Sequence, residues 1–275
     1  MITSKSNEQI KLCISLKNKK YREKYSKYLI EGIKLVGEMI DSEWGKNSSS
    51  EFIIYSPEIV ESLNNGKELI DKIHKCKVKA LDVSKEIYNL ITDTETPQGV
   101  AAVVNMPTYT ETEIIQNIKK SVTIGEQFLV LDKIQDAGNL GTIIRTAVTF
   151  GISNIICLKG TVDVYSPKVV RSTMGAIQKL NIFYVDEEIF INLSNILKDN
   201  GYILVGTHLK ATEYLHELKQ KQNRVFVMGN EANGMSENIT KACDKLVKIP
   251  MEETQESLNV AIATSICLYD SYLNR

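Results

Sequence analysis

Apolar runs punctuate the second half of the chain. FLVLDKI (128–134), NIICL (154–158), NIFYV (181–185), YILVG (202–206), RVFVMG (224–229) and KLVKIP (245–250) each read as a buried strand. Helical patterns lie between most of them and after the last. Strands alternating with helices predict an α/β fold with a largely parallel sheet covered on both faces. Ligands then bind beyond the carboxyl ends of the strands.

The first hundred residues alternate in the same way on a smaller scale. Tyr28 to Asp41 carries Leu29, Ile33, Val36 and Ile40 at helical spacing, which predicts a helix. EFIIY (51–55) and GVAAVV (99–104) predict strands, Trp44 to Ser50 a polar loop, and Ile70 to Cys76 part of a helix. Between the halves the pattern weakens. Pro107, Thr108, Thr110 and a polar run predict a linker over 107–126, with a short helix near Ile114. The expected organisation is a small α/β domain over 1–106, the linker, and a larger domain over 127–275.

Composition narrows the class. At 275 residues, 43% hydrophobic and 24% charged, the chain is expected to be globular, with no apolar run long enough for a bilayer. The opening MITSKSNEQIKLC has no apolar signal segment, so a cytoplasmic location is expected. Five cysteines without CxxC spacing read as reduced thiols, and three histidines (His74, His208, His216) argue against a metal centre.

A net charge of −1 decides little, but its distribution is uneven. Residues 1–28 hold eight Lys/Arg, among them Lys17, Lys19, Lys20 and Arg22, against Glu8 and Glu23, with Tyr21, Tyr25 and Tyr28 interleaved. Such a stripe holds phosphates and stacks bases, or is a solvated helix face; local charge leaves both open.

Three segments follow predicted strands. In LDKIQDAGNLGTIIRTAVTFG (131–151), a loop with Gly138, Asn139 and Gly141 leads to a helix bearing Arg145. The glycines permit close backbone approach, and Asn139 suits a cap or polar contact. In VFVMGNEANGMSENI (225–239), a core strand ends on Gly229 and is followed at once by Asn230 and Glu231. A turn needs the glycine and the amide but has no need of the carboxylate. In IPMEETQESLNVAIATSICLYD (249–270), an acidic loop, Glu252 to Glu256, leads to Ser257, which can cap the next helix, and to Asn259. A surface role for Arg145 and a plain capping role for Ser257 stay open. No GxGxxG follows the first strand and no Walker loop is present, so a dinucleotide-dependent oxidoreductase is unsupported.

DAGNLGTIIRTA, VMGNEANGMS and IPMEETQESLNVAIA, in this order, resemble the three motifs of the SpoU-type RNA 2′-O-ribose methyltransferases of the SPOUT class. The likeness covers 128–270. More loosely, SKSNEQIKLCISLKNKKYREKYSKYLIEGIKLV and TPQGVAAVV resemble the start and end of the ribosomal-protein-like RNA-binding domain that many members carry. One departure is Ala137, where many members have proline.

The resemblance implies a parallel-sheet domain with a deep trefoil knot at its C-terminal end, a rare topology. It implies S-adenosylmethionine held by backbone groups near Gly206, Gly229, Ile249 and Leu258, with a contribution from Thr207. On that reading a side chain at 229 would occupy cofactor space. The family's functional residues carry over to Asn139, Arg145, Glu231, Ser257 and Asn259. The family assigns the arginine as general base. A guanidinium hardly deprotonates in proteins, so gripping a phosphate and polarising the 2′-oxygen is an equally good role. A homodimer through the knotted region is implied, as is a basic N-terminal segment that positions structured RNA by its phosphates. Ribosomal RNA, 23S above all, is the expected substrate. The alternatives are the same chemistry on tRNA and a non-catalytic RNA-binding or ribosome-assembly protein.

Overall fold

The computed structural model describes residues 1–41, 50–218, 222–252 and 257–274. All of the expected 44–50 loop but Ser50, and the acidic loop beyond Glu252, lie outside the described residues. Two compact units emerge: Met1–Thr108 with Asp163–Gln178, and Tyr109–Val162 with Lys179–Arg275.

The first unit is a four-stranded sheet of β1 (Lys27–Glu31), β2 (Ser50–Tyr55), β3 (Lys79–Asp82) and β4 (Val100–Asn105). Its order is β1-β4-β2-β3, antiparallel except for β2 with β3. Ile10, Cys13, Leu16, Ile87, Tyr88 and Ile91 from two flanking helices pack with Phe52, Ile54, Ala101 and Val103 of the sheet. The helix expected over 28–41 begins only at Ile33. Tyr28 to Glu31 pair residue by residue with β4, burying Tyr28 and Ile30 on alternate positions. Gly32, at φ +109°, turns the chain from strand into helix, and the Ile33 amide donates to Gln98 Oε1 at 2.8 Å. The apolar residues at 28–30 served both periods, and the glycine decides between them.

The second unit is a seven-stranded parallel sheet of β5 (Phe128–Leu131), β6 (Asn154–Leu158), β7 (Asn181–Val185), β8 (Tyr202–Thr207), β9 (Glu213–Tyr214), β10 (Asn223–Met228) and β11 (Lys245–Lys248). The order is β7-β6-β5-β10-β8-β11-β9. All six expected strands are present; the two-residue β9 had no apolar run to signal it. β5 leads outward to β6 and β7, and the chain then returns to the other side. The direction therefore reverses between β5 and β10, which is where open α/β sheets bind ligands.

The expected linker is not one. Thr110 caps a helix, Glu111–Thr123, in a capping box with Glu113. Ile114, Ile118 and Val122 of that helix join the core with Phe128, Val130 and Phe183. Among the described residues no helix is long and apolar enough to cross a membrane. The cysteines are free, and burial pushes the Cys13 and Cys243 thiols up to about 12, which makes them unreactive.

Arg22 departs most from expectation. It is 3% exposed, far too buried to meet RNA phosphate. Its Nη1 donates to the carbonyls of Leu16 (2.7 Å) and Lys17 (2.8 Å), and its Nε and Nη2 donate to Asp163 Oδ2 at 3.2 and 2.5 Å. Desolvating a guanidinium demands such partners. Asp163→Ala should therefore destabilise the first unit by about 3–5 kcal/mol. Denaturant unfolding measures this, and a loss below about 1 kcal/mol would mean that the pair is not the anchor described.

Candidate active site

The site assembles where β5 and β10 end side by side. After β5, Asp136 caps the helix Ala137–Thr149, its Oδ1 accepting from the Asn139 amide at 2.7 Å. The helix thus starts before Asn139 and Gly141, which were expected in a loop, and Asn139 is not the cap. Its side chain is freed for tertiary contacts.

Asn139 Nδ2 donates to Glu231 Oε1 at 3.0 Å, and Asn139 Oδ1 accepts from Asn259 Nδ2 at 2.9 Å. Asn259 Oδ1 accepts from the amides of Ala261 (2.9 Å) and Ile262 (3.3 Å), so Asn259, rather than Ser257, is the cap of the last helix, Val260–Leu273. Ser257 is exposed and precedes the helix. Three of the five expected functional residues therefore form one relay, carboxylate to amide to amide, across three strand-end segments.

The loop after β10 is tied to the β5 side at further points. Asn230 Nδ2 donates to the Lys133 carbonyl at 2.8 Å, and Lys133 itself sits at φ +60°. Asn230 Oδ1 accepts from the amides of Ala232 and Asn233, closing the turn that Gly234 completes. The Gln135 amide reaches Glu231 Oε2 at 3.4 Å. Asp132, 1% exposed, accepts the Ser236 amide at 2.7 Å. Neither Asp132 nor Asp136 stood out in the sequence, since a lone aspartate after an apolar run is an ordinary loop residue.

The constraint on Gly229 differs from the one expected. A Cβ there would lie 2.4 Å from Gly234 C and from Met235 N, so the chain's own returning backbone fills the space. At Gly206 a Cβ would lie 2.6 Å from Met235 Cε and 2.9 Å from Cys243 Sγ. Both glycines let segments of the protein close on one another. The Thr207 hydroxyl lies 3.9 Å from Met228 Sδ. Gly229, Ile249 and Leu258 have a different feature in common. Their main-chain N–H and C=O groups find no hydrogen-bond partner among the described residues. Gly229 is buried, where an unmet amide or carbonyl is costly.

Arg145 stands on the exposed face of its helix with Thr142 and Thr149. Among the described residues its guanidinium makes no ion pair or hydrogen bond, and it is not joined to the relay.

In the first unit the basic residues divide. Lys17 is committed to the Thr92 carbonyl (3.1 Å) and Asp93 (2.7 Å), Lys19 lies 3.6 Å from Glu23, and Lys20 is exposed.

Comparison with known proteins agrees with this architecture. The sequence profile of the SpoU rRNA Methylase family matches residues 126–269, and that of the MRM3-like substrate binding domain matches residues 7–102. The chain is 30% identical over 275 residues to the 23S rRNA (guanosine(2553)-2'-O)-methyltransferase RlmP of Bacillus subtilis, covering 98% of this chain and 97% of that one. The crystal structure of an AdoMet-bound rRNA methyltransferase from Sinorhizobium meliloti superposes with a TM-score of 0.80 at 29% identity, over 98% of this chain and 96% of that one. The SpoU methyltransferase AviRb of Streptomyces viridochromogenes has the same fold, with a TM-score of 0.81 at 23% identity over 97% of each chain. The motifs read from the sequence and the relay that joins them thus have a common origin: the chain belongs to the SpoU rRNA methylase family.

Proposed function

We propose that this protein transfers a methyl group from S-adenosylmethionine to a ribose 2′-hydroxyl of 23S rRNA. The observation that carries the reading is the relay of Glu231, Asn139 and Asn259 beside the unpaired Arg145, at the switch point of a parallel sheet. The Bacillus subtilis relative, matched over 97% of its length, favours 23S rRNA over tRNA.

The donor set suits the cofactor. The main-chain N–H and C=O groups at Gly229, Ile249 and Leu258 have the alternating donor and acceptor character of an adenine edge and an amino-acid head. With Gly206 and Thr207 alongside, these residues would hold it. S-adenosylmethionine, when bound, supplies an activated methyl group on a sulfonium. The protein's task is then alignment of the acceptor hydroxyl, a proximity effect.

The relay does not touch the reacting atoms on this reading. The Asn139 side-chain oxygen and nitrogen are both taken up within the protein, so Asn139, Glu231 and Asn259 act as positioning residues. They fix the helix that carries Arg145 against the loops that would hold the cofactor. Arg145 grips a phosphate and polarises the 2′-oxygen, a role its fixed charge suits better than proton abstraction. Ser257, exposed beside Leu258, is free to contact substrate.

Arg145 is completed by a second copy of the chain. The last helix exposes Ile262 (50%), Ile266 (36%), Tyr269 (52%) and Leu273 (62%) at successive turns, an apolar stripe suited to an isologous contact. The trefoil knot implied by the family likeness belongs to the same reading.

Labelled S-adenosylmethionine incubated with unmodified 23S rRNA and, separately, with unmodified tRNA tests the proposal. Label in one alkali-resistant position of 23S rRNA is expected; label in tRNA alone would overturn the substrate. Arg145→Ala should bind the cofactor normally and lose turnover by about 100-fold or more, the scale of a lost charge-stabilising group. Wild-type turnover would remove Arg145 from the site. Ile266→Glu should shift the sedimenting species from dimer to monomer, and an unchanged mass would discard the stripe as the interface.

A further inference from the structure

The helix Lys19–Tyr25 has one buried member, Arg22; every other residue of it is exposed. Fixed by that side chain, the helix presents two adjacent rows to solvent. Tyr21 and Tyr25, 37% and 40% exposed, form one row. Their rings are nearly parallel, with an interplanar angle of 14° and centroids 6.2 Å apart. Lys20 and Lys24, one position before each tyrosine, form the other row, and Lys24 Nζ lies 5.2 Å from the Tyr25 ring centre. Residues four apart on a helix are neighbours on its surface, so each row runs along the helix axis.

Large rings left exposed side by side are costly to hydrate, whereas Tyr28, from the same stretch of sequence, is 3% exposed and packs on Tyr165 at 4.8 Å. The exposed pair is thus a distinct feature within the stripe. An aromatic face beside a cationic row matches an unpaired nucleotide, with base on ring and phosphate on ammonium. Among the described residues Lys20 and Lys24 make no ion pair; Glu23, one turn from Lys20, lies 3.6 Å from Lys19.

We infer that Tyr21 and Tyr25 form a stacking platform for an unpaired base of the RNA substrate, with Lys20 and Lys24 holding the adjoining phosphates. The inference rests on the RNA-directed reading above and adds to it which residues of the stripe meet a base and which meet phosphate. The platform is preorganised. The guanidinium of Arg22 pins the helix from beneath, and Ser26, in the left-handed conformation at φ 50°, closes its end. Stacking of this kind tolerates any base, so it contributes affinity and register, while the choice of nucleotide lies elsewhere.

Two measurements on the full-length protein test it. The first is the KM for an unmodified 23S rRNA transcript in methyl transfer. A Tyr21→Ala/Tyr25→Ala protein should show a KM raised by about tenfold or more with kcat nearly unchanged, and Tyr21→Phe/Tyr25→Phe should behave as wild type. The second is fluorescence of a short single-stranded RNA carrying one 2-aminopurine. Quenching on binding should appear with the wild-type and Phe proteins and vanish with the Ala protein. Cofactor binding by the Ala protein, whose changes are on the surface, checks that it is folded. An unchanged KM together with undiminished quenching in the Ala protein overturns the platform. Quenching by a wild-type protein that methylates no RNA would sink the catalytic reading and leave the platform standing.

Discussion

Everything at the site depends on one carboxylate, Glu231, being met by an amide from another strand's loop. Glu231 accepts from Asn139, and Asn139 accepts from Asn259. Each of the three lies in a different segment: the turn after β10, the first turn of the helix after β5, and the cap of the last helix. The relay ties the three segments together at an exposed site, because a carboxylate and two amides have complementary hydrogen-bonding groups. Around it, Asp132 on the Ser236 amide and Asn230 on the Lys133 carbonyl brace the β10 loop. Loops braced at a switch point present main-chain groups at defined positions, which is what a small polar cofactor requires.

Much of this was legible in the sequence, for identifiable reasons. Strands of a parallel sheet are buried on both faces and read as continuous apolar runs, so six of the seven appeared directly. β9, two residues long, has no such run. The helix Glu111–Thr123 was expected only as a short helix near Ile114 within a linker, because Ile114, Ile118 and Val122 are the apolar residues it buries in an otherwise polar stretch. At Tyr28–Glu31 a helical spacing coincided with an alternating one, and the partner strand lies some seventy residues further on.

The candidate residues were visible as types but not as partners. Asn139, Glu231 and Asn259 could be named from motifs, yet their mutual bonds join positions about a hundred residues apart and leave no local trace. The same distance concealed the role of Arg22, whose partner Asp163 lies 141 positions away. Gly229 had the right importance for a different reason: the space a side chain would take belongs to the chain's own Gly234 and Met235. A sequence shows which groups are present; which of them close on one another is a property of the fold.

The central claim is that Glu231, Asn139 and Asn259 act as a single device. A double-mutant cycle on single-turnover methyl transfer, using Asn139→Ala, Glu231→Ala and the double variant, measures this most directly. Each single change should cost nearly as much as both together, because either one breaks the same relay. Fully additive losses would contradict it, and would mean that the two side chains serve the reaction independently.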